Sequence, residues 1–340
     1  MQTNEIVMPG KVEPSGFEVR VRDLPAPAQG QVTLRMDATG VSFAEQQMRR
    51  GKYYDQPAFP FVPGYDVVGT VTAVGPGVDP ALVGRRFAAV IKTGGWASHL
   101  QLDAADLVPV PDQVSAAAAE TVAVNGVTAW QMLHRSARVR RGGTIVVLGA
   151  NGGVGSTLVQ LARHAGMTVI GTASERHHET LRRLGAIPVD YRDPEKMYRQ
   201  IRELAPDGVD AVFDHVGGPA LVDSWALLRR GGTLVSYGTA ATKDEEGNAQ
   251  LPVLKSYGRL LLWNYLPNGK RANFYSFWAG LRFRASFRRR LAADLTQVLK
   301  LVAEGVVTPQ IAAEFPLADA AAALSLAESR TVSGKVVIVP

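Results

Sequence analysis

One segment near the middle of the chain limits the fold more than any other. Residues 144–161, TIVVLGANGGVGSTLVQL, join a continuous apolar run to a glycine cluster and then to a helical pattern. Such an apolar run is typical of a parallel strand that is covered on both faces. Glycines permit a tight turn, and the start of the following helix offers free N–H groups and a positive dipole end to an anion. The segment therefore predicts a phosphate-binding turn between a strand and a helix.

Strands and helices alternate around and after this segment. The strand candidates are TIVVLGA (144–150), TVIGTAS (168–174), IPVDY (187–191), VDAVFDHVG (209–217) and GTLVSYG (232–238). The helix candidates between them are STLVQLARHAG (156–166) and ETLRRLGA (179–186). This alternation predicts an α/β fold with a Rossmann-type, doubly wound parallel sheet. In that context the G-x-x-G-G-x-G spacing indicates a dinucleotide site, and Ser156 excludes a P-loop because a lysine is required there.

The rest of the chain is organised differently. Residues 1–115 are rich in short β-branched runs and Gly/Pro turns, and an Ala-rich helical pattern follows from Ser115. A length of 340 residues suits two domains. RLLLW (259–263) is predicted to be a strand, residues 273–304 are predicted to be helical, and GKVVIVP at the end is predicted to be a strand.

Composition removes several classes of protein. The chain has no cysteine, which excludes disulfides, Cys-ligated zinc, iron–sulfur clusters and thiol nucleophiles. The net charge is +6, but residues 270–290 hold seven Lys and Arg and no acid, so the excess positive charge lies in this one segment. Nucleic-acid binding is therefore not favoured. No apolar run approaches the roughly 18–20 residues of a membrane span, and the first residues do not form a signal peptide. A cytoplasmic location is therefore expected.

The end of the second predicted strand indicates which dinucleotide is bound. An acid at that position binds the ribose 2′-OH of NAD, whereas a small residue with nearby cations accommodates a 2′-phosphate. Ser174 takes the place of the acid and Arg176 is close by, so NADP(H) is favoured. Glu175 leaves NAD open, because a shift of one residue would make it the ribose-binding acid.

Three features together resemble the medium-chain dehydrogenase/reductase superfamily. These are the central Rossmann pattern, the β-rich first third, and Gly64-Tyr65-Asp66 followed by VVGTVTAVGPGV. The loop GANGGVG resembles the zinc-free quinone oxidoreductase branch, which includes zeta-crystallin. The resemblance implies a GroES-like catalytic domain over residues 1–124, a dinucleotide-binding Rossmann domain over 125–266, and a return to the catalytic domain over 267–340. It is weakest over about 240–290.

The residues at the metal positions of related enzymes have changed. Ser42 stands where metal-dependent members carry a cysteine, and Tyr65-Asp66 stand where they carry a His-Glu pair. A hydroxyl and a phenol are poor Zn²⁺ ligands at neutral pH, so no metal is expected. Asp66 is predicted to be a hydrogen-bonded structural acid and Tyr65 to pack or line a cleft. Changing Asp66 to Asn should then harm folding more than hydride transfer.

The resemblance also implies the cofactor-binding residues. A 2′-phosphate pocket maps onto His177, Tyr191 and Arg330; His177 replaces the usual lysine, a loss for which Arg176 compensates. The full predicted set is Thr128, Ala150, Asn151, Gly152, Gly153, Val154, Gly155, Ser174, Arg176, His177, Tyr191, Val216, Tyr237, Gly238, Thr239 and Arg330.

The activity that follows is hydride transfer without a metal. An NADPH-dependent enzyme would reduce a quinone or a similar electrophilic acceptor, and the catalytic candidates that could bind the developing oxyanion are Tyr53 and Ser42. For both residues the alternative is an ordinary role, a surface-loop tyrosine and a backbone-bonding serine respectively. Reduction of an enone or 2-enoyl thioester is the second hypothesis.

A third hypothesis is a non-catalytic NADPH-binding protein with a structural or membrane-surface role. It depends on residues 270–290, where aromatic residues interleave with arginines as in an interfacial helix. The same segment could instead cover the substrate cleft or bind an anionic substrate. Family members are commonly homodimers, and RLLLW would then be the paired edge strand.

Overall fold

The computed structural model describes residues 1–53, 55–238, 250–329 and 331–340. The described strands are, in chain order, β1 (Gln2–Val7), β2 (Glu18–Asp23), β3 (Gln31–Val41), β4 (Asp66–Val74), β5 (Arg86–Val90), β6 (His99–Asp103), β7 (Val108–Pro109), β8 (Thr144–Val147), β9 (Thr168–Ala173), β10 (Ile187–Asp190), β11 (Val209–Asp214), β12 (Leu228–Ser236), β13 (Arg271–Phe274), β14 (Ile311–Pro316) and β15 (Lys335–Val339). The described α-helices are α1 (Phe43–Arg49), α2 (Ala116–Gln131), α3 (Gly153–His164), α4 (His178–Leu184), α5 (Pro194–Leu204), α6 (Ala220–Ala226), α7 (Gln250–Trp263), α8 (Arg284–Ala303) and α9 (Ala320–Ser329).

The chain forms two compact units. The first comprises Met1–Val127 and Gly280–Pro340, and the second comprises Thr128–Ala279. Residues 267–279 thus belong with the second unit, because β13 pairs in parallel with β12. In the predicted division these residues belong to the returning catalytic domain.

The first unit is built on a largely antiparallel sheet. Its strands lie in the order β14-β15-β3-β4-β5-β7, and β6 also pairs with β3. The long strand β3 pairs with β6 through its first half and with β15 through its last residues. The core between these strands and α9 contains Leu34, Val67 and Trp96, which are fully buried. Because β15 is drawn from the end of the chain, it brings Lys335 beside residues of β3 and β4.

The second unit is the predicted Rossmann-type sheet. Its order is β10-β9-β8-β11-β12-β13, and every neighbouring pair is parallel. The order reverses between β8 and β11, and ligands of such sheets bind outside the carboxyl ends of the strands at that point. Val146, Ile170, Val212 and Leu234 are fully buried in this sheet. This architecture confirms the predicted α/β fold class.

The prediction of a strand at RLLLW (259–263) is wrong. The segment is the last part of α7. Ser256 and Leu260 are buried, whereas Leu261 and Leu262 are 46% and 70% exposed, which is the burial pattern of a helix. A run of four apolar residues such as LLLW does not by itself distinguish a buried strand from a helix.

The edge strand of the parallel sheet is β13. One of its residues, Ala272, is already bonded on the outer side, because its N–H donates to Oδ1 of Asn264 at 2.9 Å and its carbonyl accepts from Nδ2 of Asn264 at 2.8 Å. The Asn264 carboxamide thus takes the place of a neighbouring strand at that residue. The homodimer stays a prediction, and residues 259–263 cannot supply its edge strand.

The prediction of one helix over residues 273–304 is wrong in its first part, because the basic segment 270–290 is not a continuous helix. A contact of this segment with a membrane surface stays a prediction. The segment begins as β13, and α8 starts only at Arg284, after Gly280 with its φ of 85°. Arg284 and Arg288 form ion pairs with Asp103, and Arg288 also pairs with Asp106. Among the described residues, no helix combines the length and the apolar character that a bilayer span requires.

Candidate active site

The glycine loop joins β8 to α3. The N–H of Gly149, whose φ is 66°, donates to Oγ1 of Thr172 at 3.0 Å, and the N–H of Ala150 donates to the Thr172 carbonyl at 2.9 Å. These bonds tie the start of the loop to the end of β9. Gly152 is the N-cap of α3, which begins at Gly153. The first N–H groups of a helix have no intrahelical acceptor, so this end can bind an anion.

Two glycines of the loop have different surroundings. A Cβ built on Gly155 would lie 2.4 Å from the Gly149 carbonyl oxygen and 2.8 Å from Cα of Ala150, whereas one on Gly152 would meet only that oxygen, at 3.4 Å. Gly155 therefore lets α3 pack on the loop, and Gly152 leaves room above it for a pyrophosphate. The predicted loop residues that are partly exposed are Asn151, Gly152, Gly153 and Val154.

We expect Gly155→Ala to lower the free energy of unfolding by about 1–3 kcal/mol, because rigid backbone atoms must shift to admit the methyl group. Gly152→Ala is the matched control, since its methyl group meets only an ordinary contact. Its φ of −75° is also open to alanine. Chemical denaturation of both variants measures the difference. Equal stability of the two would contradict this account of the loop.

A second group of predicted residues lies where β9 and β10 end. Asp190 pairs in register with Ala173, so the residues that follow the two strands are neighbours at the carboxyl edge of the sheet. Ser174 is half-buried and Tyr191 is 49% exposed. The structure therefore brings these two predicted residues to one side of the sheet.

The charged residues of this edge are paired. Nε of Arg176 donates to Nε2 of His177 at 3.2 Å, so His177 accepts with a neutral ring. Burial and the Arg176 charge lower the pKa of His177 below 6.5. Glu175, the residue that kept NAD open, lies 3.1 Å from Nη2 of Arg192. Arg192 is a neighbour that the sequence analysis did not single out.

Beyond β11, one buried carboxylate shapes the backbone. Oδ1 of Asp214 accepts the N–H groups of Val216 and Gly217 at 2.7 and 2.9 Å, and Oδ2 accepts the Ser224 hydroxyl at 2.7 Å. The Tyr237 N–H donates to the Asp214 carbonyl at 2.9 Å. Asp214 was missed from the sequence, although an acid that ends the apolar run VDAVFD was a visible signal.

His215 links this turn to the glycine loop. Its Nδ1 lies 3.1 Å from the Leu148 carbonyl, so the proton is on that nitrogen, and its ring lies against Gly149. Its ring centroid is 6.1 Å from that of Tyr237, whose pKa is raised by burial. A Cβ on Gly238 would lie 2.5 Å from the His215 carbonyl oxygen. His215 is one of the six histidines in the sequence, and no motif around it marks this position.

The remaining predicted cofactor residues divide in two. Thr128 is buried on α2. Thr239 and Arg330 lie outside the described residues.

In the first unit, Tyr53 pairs with Tyr65. The two hydroxyl oxygens are 2.9 Å apart, and the rings meet edge to face with centroids 6.3 Å apart. Tyr65 is buried and Tyr53 is half-buried. When Tyr65 donates in this pair, the Tyr53 oxygen accepts, and a hydroxyl that accepts a hydrogen bond is a better donor.

Ser42 is the N-cap of α1. Its hydroxyl accepts the Ala44 N–H at 3.1 Å and donates to Oε2 of Glu45, which also accepts the Ser42 N–H at 2.8 Å. This is a capping box, and it engages the hydroxyl locally. Burial raises the pKa of the fully buried Glu45. The role of Ser42 as a hydrogen-bond donor to the substrate stays a prediction.

Asp66 belongs to a buried charge cluster, which we define as Asp66, Glu120 and Lys335. Nζ of Lys335 is 2.7 Å from Oδ2 of Asp66 and 2.5 Å from Oε1 of Glu120, and all three side chains are at most 1% exposed. The Val124 N–H also donates to Asp66, at 3.0 Å. These contacts support the interpretation of Asp66 as a structural acid. Within the part of the chain that the structure describes, no three His, Asp or Glu side chains are grouped to hold a metal ion.

Comparisons with known proteins cover the same two parts of the chain. The family of alcohol dehydrogenase GroES-like domains matches residues 28–112, and the zinc-binding dehydrogenase family matches residues 184–338. The rat synaptic vesicle membrane protein VAT-1 homolog is 30% identical over 322 residues, which cover 93% of this chain and 78% of that protein. A mycocerosic acid synthase-like polyketide synthase of Mycobacterium tuberculosis is 30% identical over 336 residues, which are 98% of this chain and 15% of the synthase.

Solved structures agree over nearly the full length. A mycobacterial quinone oxidoreductase is 29% identical with a TM-score of 0.81, and the alignment covers 99% of this chain and 100% of that chain. A mycobacterial relative complexed with NADPH is 28% identical with a TM-score of 0.83 and the same coverage.

Proposed function

Because the chain belongs to the medium-chain dehydrogenase/reductase superfamily, in its zinc-free quinone oxidoreductase-like branch, we propose that it reduces a quinone or similar electrophilic acceptor with NADPH. It is an oxidoreductase of that superfamily. The choice of NADPH draws on the relative that was solved with this cofactor.

The observation that carries the proposal is the glycine loop at the reversal point of the parallel sheet. Gly152 leaves space beside the N-terminus of α3, and the loop is fixed by bonds from Gly149 and Ala150 to Thr172. A dinucleotide pyrophosphate fits this backbone surface, because N–H groups and a helix dipole stabilise its charge. The turn after β11, held by Asp214, is the neighbouring part of the same carboxyl edge.

When bound, NADPH supplies a hydride. The protein then has to hold the acceptor and stabilise the oxyanion that develops as the hydride arrives. We assign the donor role to the Tyr53 hydroxyl, with Tyr65 as the residue that orients it. Ser42 is the weaker candidate because its hydroxyl already caps α1. The product takes its proton from water.

A second candidate is reduction of an enone or a 2-enoyl thioester. The match to a mycocerosic acid synthase-like polyketide synthase favours it, because 98% of this chain aligns with a 15% portion of that synthase. Both reactions transfer a hydride to an electrophilic acceptor and leave an oxyanion. The same Tyr53 hydroxyl would therefore serve in either.

A cofactor titration followed by an acceptor panel tests the proposal. We expect NADPH to bind at least tenfold more tightly than NADH in a fluorescence titration, since phosphate contacts are charge-assisted. Turnover would then be compared for a quinone, an enone and a crotonyl thioester. The expected result is the highest kcat/KM with the quinone.

The other outcomes separate the alternatives. Faster reduction of the thioester would replace the proposed substrate class by the second candidate. Preference for NADH would contradict the assignment of NADPH. Tight NADPH binding with no turnover on any acceptor would favour a non-catalytic role.

A further inference from the structure

We infer that Arg192 makes the ribose end of the dinucleotide site selective for a 2′-phosphate by neutralising Glu175 and Asp190. The inference rests on the proposed function, since it concerns the cofactor site of that function. It names a residue outside the predicted phosphate-binding set.

The contacts of Arg192 carry the inference. Its Nη2 lies 2.5 Å from Oδ2 of Asp190 and 3.1 Å from Oε2 of Glu175. Its Nε donates to the same Asp190 oxygen at 2.8 Å, and its backbone N–H donates to Oδ1 of Asp190 at 2.9 Å. One guanidinium therefore holds two carboxylates at the carboxyl edge of β9 and β10.

The position of Glu175 gives this contact its meaning. Glu175 directly follows Ser174, the residue that takes the place of a ribose-binding acid. An acid there binds the ribose 2′-OH of NAD and repels a 2′-phosphate. The ion pair turns the Glu175 carboxylate toward β10 and compensates its charge. Glu175, which would favour NAD, is thereby held by Arg192.

The local charge balance depends on Arg192. The edge carries the cations Arg176 and Arg192 and the anions Glu175 and Asp190, and His177 is neutral because it accepts from Arg176. The four charges sum to zero. Without Arg192 the sum becomes −1, beside a phosphate that would carry about −1.5 to −2.

This effect should appear in ligand affinity rather than in stability. The side chains of Arg192 and Glu175 are 60% and 77% exposed, and ion pairs on a protein surface contribute little to folding. Their charges would still act on a phosphate bound at this edge. A charge-removing substitution should therefore discriminate between two dinucleotides that differ only in that phosphate.

The test is Arg192→Gln, with dissociation constants for NADPH and NADH measured by fluorescence at low salt. We expect the Kd for NADPH to rise about fivefold to tenfold, as for loss of one nearby cation. The Kd for NADH should change less than about twofold, since NADH has no 2′-phosphate. An increase in salt should shrink the difference between the two proteins.

Three further variants make the result specific. Glu175→Gln combined with Arg192→Gln restores the net charge, so its Kd for NADPH should return to within about threefold of the wild-type value. Arg192→Lys keeps the charge and should keep most of the selectivity. Arg229→Gln removes a similarly exposed arginine that pairs with Asp210 at the amino ends of the strands, and it should change neither dissociation constant.

The outcomes also separate this inference from the proposed function. One outcome overturns the role of Arg192 alone. In that outcome the wild-type protein prefers NADPH, and Arg192→Gln either leaves both affinities unchanged or weakens the binding of both dinucleotides equally. Wild-type protein that binds neither dinucleotide, or prefers NADH, overturns the proposed function and this inference with it.

Discussion

Replacement of Lys335 by Met is expected to lower the free energy of unfolding by about 3–5 kcal/mol, because it leaves an uncompensated buried charge. Lys335 is the cation of the buried charge cluster, and its Nζ contacts both Asp66 and Glu120. Burial alone would lower the pKa of Lys335, but the two carboxylates outweigh it and raise that pKa. Urea denaturation at neutral pH measures the loss.

Glu120→Gln is the matched control for this substitution. Burial raises the pKa of Glu120 well above its ordinary value of 4.5, the Lys335 charge opposes that shift, and the Asp66 charge adds to it. A glutamine imitates the protonated acid. We therefore expect Glu120→Gln to remain within about 1 kcal/mol of wild-type stability at neutral pH.

The stability of wild-type protein and of Glu120→Gln should depend on pH in different ways. A carboxyl whose folded pKa is raised contributes stability that is complete below 4.5 and is lost as the pH rises toward the folded value. In that window wild-type protein should lose about 1.4 kcal/mol per pH unit relative to Glu120→Gln. Parallel stability curves for the two proteins would show that Glu120 ionises normally. A Lys335→Met protein as stable as wild type would refute the account of the cluster.

Replacement of Tyr53 by Phe is expected to lower kcat about 10²-fold, the usual cost of removing one donor to a developing oxyanion. The change removes only the hydroxyl and leaves the ring packed edge to face on Tyr65. Binding of NADPH should be unchanged, which a fluorescence titration checks separately. Steady-state kinetics with the best acceptor of the panel gives kcat and KM.

Tyr65→Phe tests how the pair works. If Tyr65 acts by orienting Tyr53, its loss should lower kcat about threefold to tenfold, in line with loss of a single hydrogen bond. The double variant should then be no slower than Tyr53→Phe alone. Tyr198→Phe is a control, since that buried hydroxyl donates to the Ala220 carbonyl in the other unit. An unchanged kcat in Tyr53→Phe would remove Tyr53 from the reaction.

The sequence was most informative where local chemistry decides the structure. The glycine loop, the alternating strands and helices, and the place of Ser174 could be read directly, because a tight turn beside a helix N-terminus requires those residue types. Short segments were less informative. RLLLW is typical of a strand in the sequence but forms part of a helix, since only its burial pattern distinguishes the two.

Partners that are distant in the chain needed the tertiary structure. Lys335 meets Asp66 across 269 residues, and Arg288 pairs with Asp106 across 182 residues. Neither contact leaves a pattern in a single sequence, because each depends on which elements become neighbours in the fold.

The sequence alone thus determined the fold class and the dinucleotide loop, through residues that act within a few positions of one another. Only the tertiary structure decided which charges and which hydrogen-bonding groups are paired. It set Arg192 against Glu175, Tyr65 against Tyr53, and Lys335 between two buried acids. The reason is physical: a side chain's charge and hydrogen-bonding capacity are fixed by its type, but the groups that satisfy them are fixed by packing.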